Sequence, residues 1–341
     1  MVDLPVVLMR GGTSKGVFLR MTDLPADPVA RDDLLLRLMG SPDPMQLNGL
    51  GGTHSSTSKA MFVGPAREPG AEVEYLFAQV AVEQAVVDYN GNCGNLTAAV
   101  AHYAVEEGLV TAVEPTTVVL LRNLNTNVIV RATVEVAGGR VLWQGDTAID
   151  GVPGTGAALR TDYLEPGGSV TGTLFPSGGP RAQWSGIDVS IVDVATPHVF
   201  VRASDLALQG DEPTTELNNR SDLLAHLADL RAWAGKTIGI DSLAVPRLVV
   251  LSPGRHVKVF ATSMGKVHHA TPITTALCTA AAARLRGTVV YDIAQPDDGP
   301  IVRIEHPKGA VEATIEIHEG RVIAAGVLRT ARRLLTGTAH V

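Results

Sequence analysis

The sequence predicts an α+β fold of two pseudo-symmetric lobes, each a curved, mostly antiparallel β-sheet (a half-barrel) around a central helix. Three observations lead to this prediction: an internal repeat, β-branched tracts at matching places in both halves, and one apolar helical tract in each half. The chain has 341 residues. This length exceeds the usual size of a single domain and suits two lobes of ordinary size.

The repeat consists of three segment pairs that keep the same order along the chain. Residues 17–24 return as 199–206, residues 31–35 as 220–224, and residues 130–141 as 311–322. The alternative interpretation is that these are common strand fragments. We favour two similar halves, about 5–150 and 187–330, joined by a Gly/Pro-rich segment at 151–180. The predicted lobes are therefore an N-terminal lobe of 1–182 and a C-terminal duplicate of 183–341.

The elements of each half follow from hydrophobic periodicity. Residues 128–136 and 311–317 read as strands, and each is followed by a Gly turn and a further strand. The tract 95–107 predicts a helix with one apolar stripe, and Gly108 can serve as the C-cap of this helix. The tract 274–285 is apolar nearly all round, which predicts a buried helix wrapped by the sheet of its own half.

Composition excludes several classes of function. Apolar residues make up 45% and charged residues 18%, which suits a sizeable core, whereas aromatic residues make up only 4%. With a net charge of −7 and no basic run, a nucleic-acid partner is not expected. No apolar run is long enough to span a membrane and no signal peptide is recognisable, so we expect a cytoplasmic protein without a membrane partner.

The two cysteines, Cys93 and Cys278, lack the spacing of a metal site, so free thiols and no metal are expected. A homodimer is compatible with the sequence, although no patch marks an interface.

Cys93 is the strongest candidate for chemistry. It lies in the segment Gly-Asn-Cys-Gly-Asn at 91–95, at the predicted start of a helix, and the repeat places Thr274 at the matching position of the second half. A helix start offers free N–H groups and a positive field, which bind carboxylates and favour a thiolate. The neighbouring residues Asn92, Gly94, Asn95 and Thr275 are therefore candidate substrate ligands with Thr274. The alternative is that Cys93 is a small buried hydrophobe.

Lys59 is the candidate for a second acid/base group. It ends a polar loop at 51–59 whose Ser56, Thr57 and Ser58 suit the binding of polar groups. A lysine in such a setting becomes a usable base, although a solvated loop lysine is the commoner case. Further predicted substrate ligands come from a Gly/Ser-rich loop and from the segment before the second helix: Arg10, Gly11, Gly12, Thr13, Ser14, Lys15, Lys266, His268 and His269.

Five segments carry a family resemblance: MRGGTSKGVF (9–18), GLGGTHSSTSKAM (49–61), YLFAQV (75–80), VDYNGNCGNLTAAV (87–100) and SMGKVHHA (263–270). They resemble the 2-methylaconitate isomerase (PrpF) family over most of the chain. That family is similar in fold to diaminopimelate epimerase. The resemblance implies a cofactor-independent isomerase of unsaturated di- or tricarboxylates in which Lys59 and Cys93 hold the catalytic positions.

The reaction expected from this resemblance is the cis–trans or allylic isomerisation of 2-methylaconitate or aconitate. One of Lys59 and Cys93 would remove a proton γ to a carboxylate, and the other, or the same one, would return it; the sequence leaves the order open. The alternative within the family is keto–enol tautomerisation of 4-oxalomesaconate. Remoter alternatives are an amino-acid racemase or epimerase, which the absence of a second matching cysteine disfavours, and a non-catalytic polycarboxylate-binding protein.

Overall fold

The computed structural model describes residues 2–242 and 244–341, which fold into two compact units. The first unit comprises Met1–Thr161 and Leu328–Val341, and the second comprises Asp162–Val327. The helices are α1 (Pro28–Met39), α2 (Gly94–Glu106), α3 (Thr214–Asn219), α4 (Ser221–Ile238), α5 (Ile273–Ala282) and α6 (Val289–Ile293), with 3-10 helices at Met21–Asp23 and Ala203–Leu206.

The remaining regular structure is β-sheet. The strands are β1 (Asp3–Gly11), β2 (Ser14–Arg20), β3 (Lys59–Pro65), β4 (Val73–Val80), β5 (Val87–Asp88), β6 (Thr116–Asn123), β7 (Ile129–Ala137), β8 (Arg140–Val141), β9 (Thr147–Ala148), β10 (Thr155–Gly156), β11 (Leu159–Leu164), β12 (Ala182–Trp184), β13 (Ile187–Val194), β14 (Thr196–Arg202), β15 (Arg247–Ser252), β16 (Val257–Ser263), β17 (Lys266–Val267), β18 (Ile301–His306), β19 (Gly309–His318), β20 (Arg321–Arg329) and β21 (Ala331–His340).

The sheet of the first unit alternates antiparallel and parallel pairs. Strand β2 pairs with β1 in antiparallel and with β3 in parallel, and the parallel register sets Val17 beside Ala60. Strand β3 continues antiparallel to β4, β4 runs parallel to β6, and β6 is antiparallel to β7. The C-terminal strand β21 returns to pair with β1. The unit therefore contains the last residues of the chain as well as the first.

The second unit repeats this order of pairings. Strand β14 is antiparallel to β13 and parallel to β15, with Val199 beside Leu248. Strand β15 is antiparallel to β16, β16 is parallel to β18, and β18 is antiparallel to β19. In both units the strand that begins the repeat, β2 or β14, is followed directly by a 3-10 helix. The three segment pairs of the sequence thus fold alike.

Each unit wraps its sheet around one buried helix. Helix α2 packs against β1, β2, β3, β6 and β7, and α5 packs against β13, β14, β18 and β19. Every residue of α5 is buried, as predicted, and so is every residue of α2 from Gly94 to Val105. The apolar stripe predicted for α2 is buried, and the burial extends to the polar Asn95, Thr97 and His102.

These features confirm the predicted α+β fold class. The predicted lobe boundary between residues 182 and 183 stays a prediction, whereas the compact units divide at residues 161 and 162 and again at 327 and 328. The described part of the chain includes no helix that is both long and apolar enough to cross a bilayer.

Candidate active site

A tight turn between β1 and β2 lies against the start of α2. The side-chain oxygen of Asn95 accepts the backbone N–H of Thr13 at 3.3 Å, and the Asn95 amide donates to the Thr13 hydroxyl at 3.0 Å. Gly11 and Gly12 make this approach possible, because a Cβ on either would overlap an oxygen of Asn95. Gly12 also adopts a φ of 49°, which a side chain would strain. The predicted residues Gly11, Gly12, Thr13 and Asn95 therefore form one interlocked substructure.

Cys93 also lies where the β1–β2 turn contacts the start of α2. It is the N-cap residue of α2 and is 8% exposed, and its thiol lies 3.8 Å from the hydroxyl of the buried Ser14, the first residue of β2. The backbone of Cys93 already belongs to the helix, since its carbonyl accepts the N–H of Thr97 at 2.8 Å. The thiol therefore sits beside a hydroxyl at the positive end of a helix that carries free N–H groups.

Lys59 begins β3 and is 7% exposed. Its ammonium donates to the side-chain oxygen of Gln79, directly across the strand pair, and lies 5.0 Å from the centre of the Phe77 ring. The Gln79 amide in turn donates to the carbonyls of Ser55 and Ser58, at 3.1 and 2.9 Å. Gln79 thereby fixes the lysine head group to the polar loop that precedes it.

Strand β2 connects Lys59 with Cys93. Gly16 lies beside Lys59 in the parallel pair, and a Cβ on Gly16 would meet the Lys59 carbonyl at 2.9 Å and the Leu96 side chain of α2 at 2.6 Å. That face of β2 therefore looks toward α2. Ser14 lies two residues earlier, on the same face of the strand, and contacts Cys93. The two candidate catalytic residues therefore both lie next to β2, Cys93 at Ser14 and Lys59 at Gly16.

The polar loop uses most of its hydroxyls internally. The Ser58 hydroxyl is fully buried and accepts the Gln46 amide at 2.8 Å, and the Thr57 hydroxyl donates to the His54 carbonyl at 3.0 Å. The Ser56 hydroxyl lies 3.1 Å from Nδ1 of His54, while the Ser56 carbonyl accepts the Lys15 N–H at 2.9 Å. The loop is consequently a rigid support for Lys59 and for the β1–β2 turn.

Arg10 stabilises the turn between β1 and β2 by hydrogen bonds. Its guanidinium donates to the carbonyls of Gly12 and Thr330, both at 3.0 Å, and burial, with the nearby charge of Arg332, lowers the pKa of Arg10. Asn92 is buried next to Cys93, with its side-chain oxygen accepting the Thr97 hydroxyl at 3.1 Å. The Asn92 amide nitrogen has no hydrogen-bond partner among residues 2–242 and 244–341, which leaves an available donor in the residue that precedes Cys93.

The predicted residues of the second unit have different surroundings. Lys266 is exposed at the start of β17, and the rings of His268 and His269 stack 4.6 Å apart. Nδ1 of the buried His268 accepts the Ala270 N–H at 3.0 Å. His269 is half-buried, and burial followed by the Lys308 charge lowers its pKa.

Thr274 and Thr275 are fully buried in the first turn of α5. The Thr275 hydroxyl lies 3.0 Å from Nε2 of His198. Both residues are thus hydrogen-bonding groups at the start of the second buried helix.

Sequence reasoning missed Gln79. The signal was present, since a lone glutamine near the end of the apolar strand 75–80 needs a buried hydrogen-bond partner. The missing information was the antiparallel register, which sets Gln79 opposite Lys59.

Within the described ranges, no three His, Cys, Asp or Glu side chains gather in a way that could hold a metal ion.

Comparison with known proteins decides the family. The sequence profile described as PrpF protein matches residues 1–341. The chain belongs to the PrpF family. It is 40% identical to 3-methylitaconate isomerase of Eubacterium barkeri, over 99% of this chain and 97% of that one. It is 37% identical to (4E)-oxalomesaconate Delta-isomerase of Novosphingobium sp. (strain KA1), over 100% and 98% of the two chains. It is also 34% identical to 2-methyl-aconitate isomerase of Shewanella oneidensis, over 100% and 97%.

Solved structures support the same assignment of this PrpF family member. The crystal structure of a methylitaconate-delta-isomerase matches with a TM-score of 0.81 and 39% identity, over 99% of this chain and 95% of that one. A hydroxyproline epimerase from Agrobacterium vitis matches with a TM-score of 0.63 at 13% identity, over 98% and 92%, and shows a shared fold alone. The predicted family and the predicted enzyme class, an isomerase, are confirmed.

Proposed function

We propose that this PrpF family member is a cofactor-independent isomerase that moves a proton on an unsaturated tricarboxylic acid, with 2-methylaconitate or aconitate as the substrate. Lys59 and Cys93 are the acid/base groups. The observation that carries the proposal is the position of both residues next to β2: the thiol of Cys93, the N-cap residue of α2, contacts Ser14, and Lys59 lies beside Gly16. Helix N–H groups bind anions, so they would hold a carboxylate next to the thiol.

The proposed reaction needs only proton transfers. One of the two groups removes the proton from the carbon γ to a carboxylate, and the electron pair spreads over the adjacent double bond into that carboxylate as a dienolate. N–H groups and the Asn92 amide stabilise the negative charge that develops on oxygen. The proton then returns to the same carbon after rotation, giving the cis–trans isomer, or to a different carbon, giving the allylic isomer. No electrons leave the substrate, so no oxidant or reductant is required.

Two relatives support alternative substrates of the same chemistry. The chain is similar to one enzyme named for 3-methylitaconate and to another named for oxalomesaconate. The competing assignments are therefore an allylic shift in methylitaconate and tautomerisation of 4-oxalomesaconate. An amino-acid racemase with two thiols is disfavoured. The second cysteine, Cys278, is fully buried inside α5, with its thiol directed at the Val192 carbonyl at 3.4 Å.

The test is proton NMR in D2O with 2-methylaconitate, trans-aconitate, 3-methylitaconate and 4-oxalomesaconate as separate substrates. Wild-type protein should convert one of these acids fastest and exchange hydrogen at the reacting carbon. Cys93→Ser and Lys59→Ala should each lower the rate by at least about 100-fold, the usual contribution of an acid/base group. Cys278→Ser and the exposed Lys236→Ala serve as matched controls and should keep the wild-type rate.

The outcomes separate the hypotheses. Fastest conversion of 3-methylitaconate or 4-oxalomesaconate would replace the substrate assignment and leave the acid/base assignment standing. Full activity in the Cys93 and Lys59 variants would refute the catalytic roles. Binding of the acids without conversion or exchange would identify a polycarboxylate-binding protein instead.

A further inference from the structure

The C-terminal strand of the first unit lies at the edge of its sheet. Strand β21 pairs with β1 and, among residues 2–242 and 244–341, with no other strand. The consecutive residues 334–338 are all exposed, so both faces of the strand lie in solvent there. Two of these residues are large and apolar, since Leu334 is 46% exposed and Leu335 is 51% exposed. The sheet of the first unit therefore has one uncovered edge.

The hydrogen bonds to the N-terminal strand determine which backbone groups of β21 point outward. Val341, which follows β21, exchanges both backbone hydrogen bonds with Val2, at 2.7 and 2.9 Å, so its N–H and C=O point inward. Hydrogen-bonded and non-hydrogen-bonded pairs alternate along an antiparallel ladder, so every second residue before Val341 points its backbone groups away from β1. These outward-facing residues are Thr336, Thr338 and His340. Pro5, which has no N–H to donate, lies opposite Thr338 and fits this alternation.

The matching edge of the second unit is built differently. Strand β13 holds the place of β1, because β13 is the antiparallel partner of β14 as β1 is of β2. The outer neighbour of β13 is β12, which has three residues, whereas β21 has ten. A short edge strand limits association with other chains, whereas a long exposed one promotes it. The repeated fold therefore does not require the length of β21, which is a feature of the first unit alone.

Strand β21 lacks most of the features that keep edge strands apart. It contains no proline and no lysine. Its register shift against β1 lies between Arg333 and Leu335, near the start of the strand, so residues 335–340 keep a regular edge. The guanidinium of Arg333 binds Glu107 and donates to the Thr336 hydroxyl at 2.8 Å, so its charge is paired within the first unit. The outer edge is thus open to pairing with another strand.

We propose that β21 pairs in antiparallel with β21 of a second copy of this chain, so that the sheets of the two first units join across a twofold axis. Because every second residue faces outward, an axis at Thr336 or at Thr338 sets outward-facing residues of one strand opposite those of the other. The outward N–H groups of each strand then donate to the outward carbonyls of its copy. Twofold dimers of this kind use the same surface patch on both subunits.

The charges along this edge fit an antiparallel copy of the same strand. Arg332 and Arg333 lie near the start of β21, whereas Asp3 of β1 lies opposite His340, the last residue of β21. Asp3 is exposed, with its carboxylate 2.7 Å from Nδ1 of His340. An antiparallel copy directs the arginine end of one strand toward the Asp3 end of the other. A parallel strand would instead set the arginines of the two copies side by side, which is unfavourable.

Sedimentation equilibrium of the 341-residue protein measures the association. As its concentration is raised, the wild type should approach twice the 35.7 kDa mass of one chain. Thr338→Pro removes an outward N–H and leaves the hydrogen bonds to β1 intact, and edge strands tolerate a proline at such a position. Because each dimer loses two hydrogen bonds, the dissociation constant should rise at least about 10-fold. Thr338→Val keeps the N–H and is the matched control, so it should associate as the wild type does.

Hydrogen exchange of the unmodified protein locates the interface without any substitution. The amides of Thr336, Thr338 and His340 should exchange slowly in the dimer and faster after dilution to the monomer. A mass of 35.7 kDa at every concentration would overturn the inference, and so would protection of these amides only after addition of a different protein. A dimer in which these amides exchange freely and Thr338→Pro associates as the wild type does would also overturn it, because that dimer uses another surface. Neither measurement depends on turnover, so the proposed function is tested separately.

Discussion

Replacing Gly11 by alanine should damage both the stability and the activity of the first unit. A Cβ at this position would overlap the Asn95 carbonyl oxygen and lie 3.1 Å from the Cα of Leu96, which is closer than the 3.4–4 Å of ordinary contact. These neighbours are backbone atoms of α2, so no side-chain rotation can relieve the overlap. Strand β1 and the start of α2 must separate, by about 1 Å, and a well-packed interior resists such a shift.

The expected magnitudes follow from that displacement. Overpacking of a core costs about 1–3 kcal/mol, and an overlap with fixed backbone belongs near the upper end of this range. For units of this size, the unfolding midpoint should fall by about 5–10 °C. The shift would also move Cys93 relative to Ser14, and a misplacement of about 1 Å at a reacting group can cost about 100-fold in rate.

Gly64→Ala is the matched control for this experiment. Gly64 is also a buried strand glycine of the first unit, but the atoms nearest to a Cβ there belong to the Met21 side chain, at 3.4 Å or more. Differential scanning calorimetry and the rate of isomerisation are measured for both variants. If Gly11→Ala unfolds at the same temperature as Gly64→Ala and turns over within twofold of it, then the close approach of β1 to α2 does not position the site.

Three further predictions concern single side chains. Gln79→Leu should lower isomerase activity at least about 10-fold and destabilise the protein by about 2–4 kcal/mol, because it removes the acceptor that fixes the Lys59 ammonium and the donor to the carbonyls of Ser55 and Ser58. Isomerase assays and urea unfolding measure the two effects. Burial lowers the pKa of His102 to about 4, so below pH 6.5 the unfolded chain binds a proton at this histidine more readily than the folded protein does. The free energy of unfolding should therefore fall by about 2 kcal/mol between pH 7 and pH 5. Urea unfolding of His102→Phe should show a smaller decline over the same pH range. Burial also raises the pKa of Cys278, so iodoacetamide should leave Cys278 unlabelled in the folded protein. Loss of isomerase activity should instead follow the labelling of Cys93, with peptide mass spectrometry identifying the modified cysteine.

The sequence predicted the architecture because duplication doubles the evidence for each element. The segment pair 17–24 and 199–206 folds into a strand followed by a 3-10 helix in both units. The predicted strand 128–136 agrees with β7 to within one residue at each end, and the predicted strand 311–317 lies inside β19. The second central helix, α5, ends at Ala282, whereas the prediction placed its end at residue 285. The end was difficult to locate because the alanine-rich tract has no glycine directly after Ala282.

The parts that could not be predicted depend on long-range pairing. Nothing in the local pattern shows that β21 returns to β1, because that pairing joins the two ends of the chain. The same holds for the complete burial of α2, because an apolar stripe does not reveal that the sheet also covers Asn95 and His102. For the candidate site, the loops were identified from composition, but the partner of Lys59 required the register of β3 and β4.

The differences between the two units bear on the reaction more directly than their similarity. A racemase that works with two opposed bases needs a proton-transferring group from each repeat, and the second repeat offers Arg247 and Thr274 where the first offers Lys59 and Cys93. A guanidinium cannot give up its proton near neutral pH, and a threonine without a neighbouring base is no better. In the proposed reaction, proton removal and proton return are therefore both assigned to Lys59 and Cys93 of the first unit. This assignment suits a planar, unsaturated carbon skeleton, because migration of a double bond does not require inversion at a tetrahedral centre.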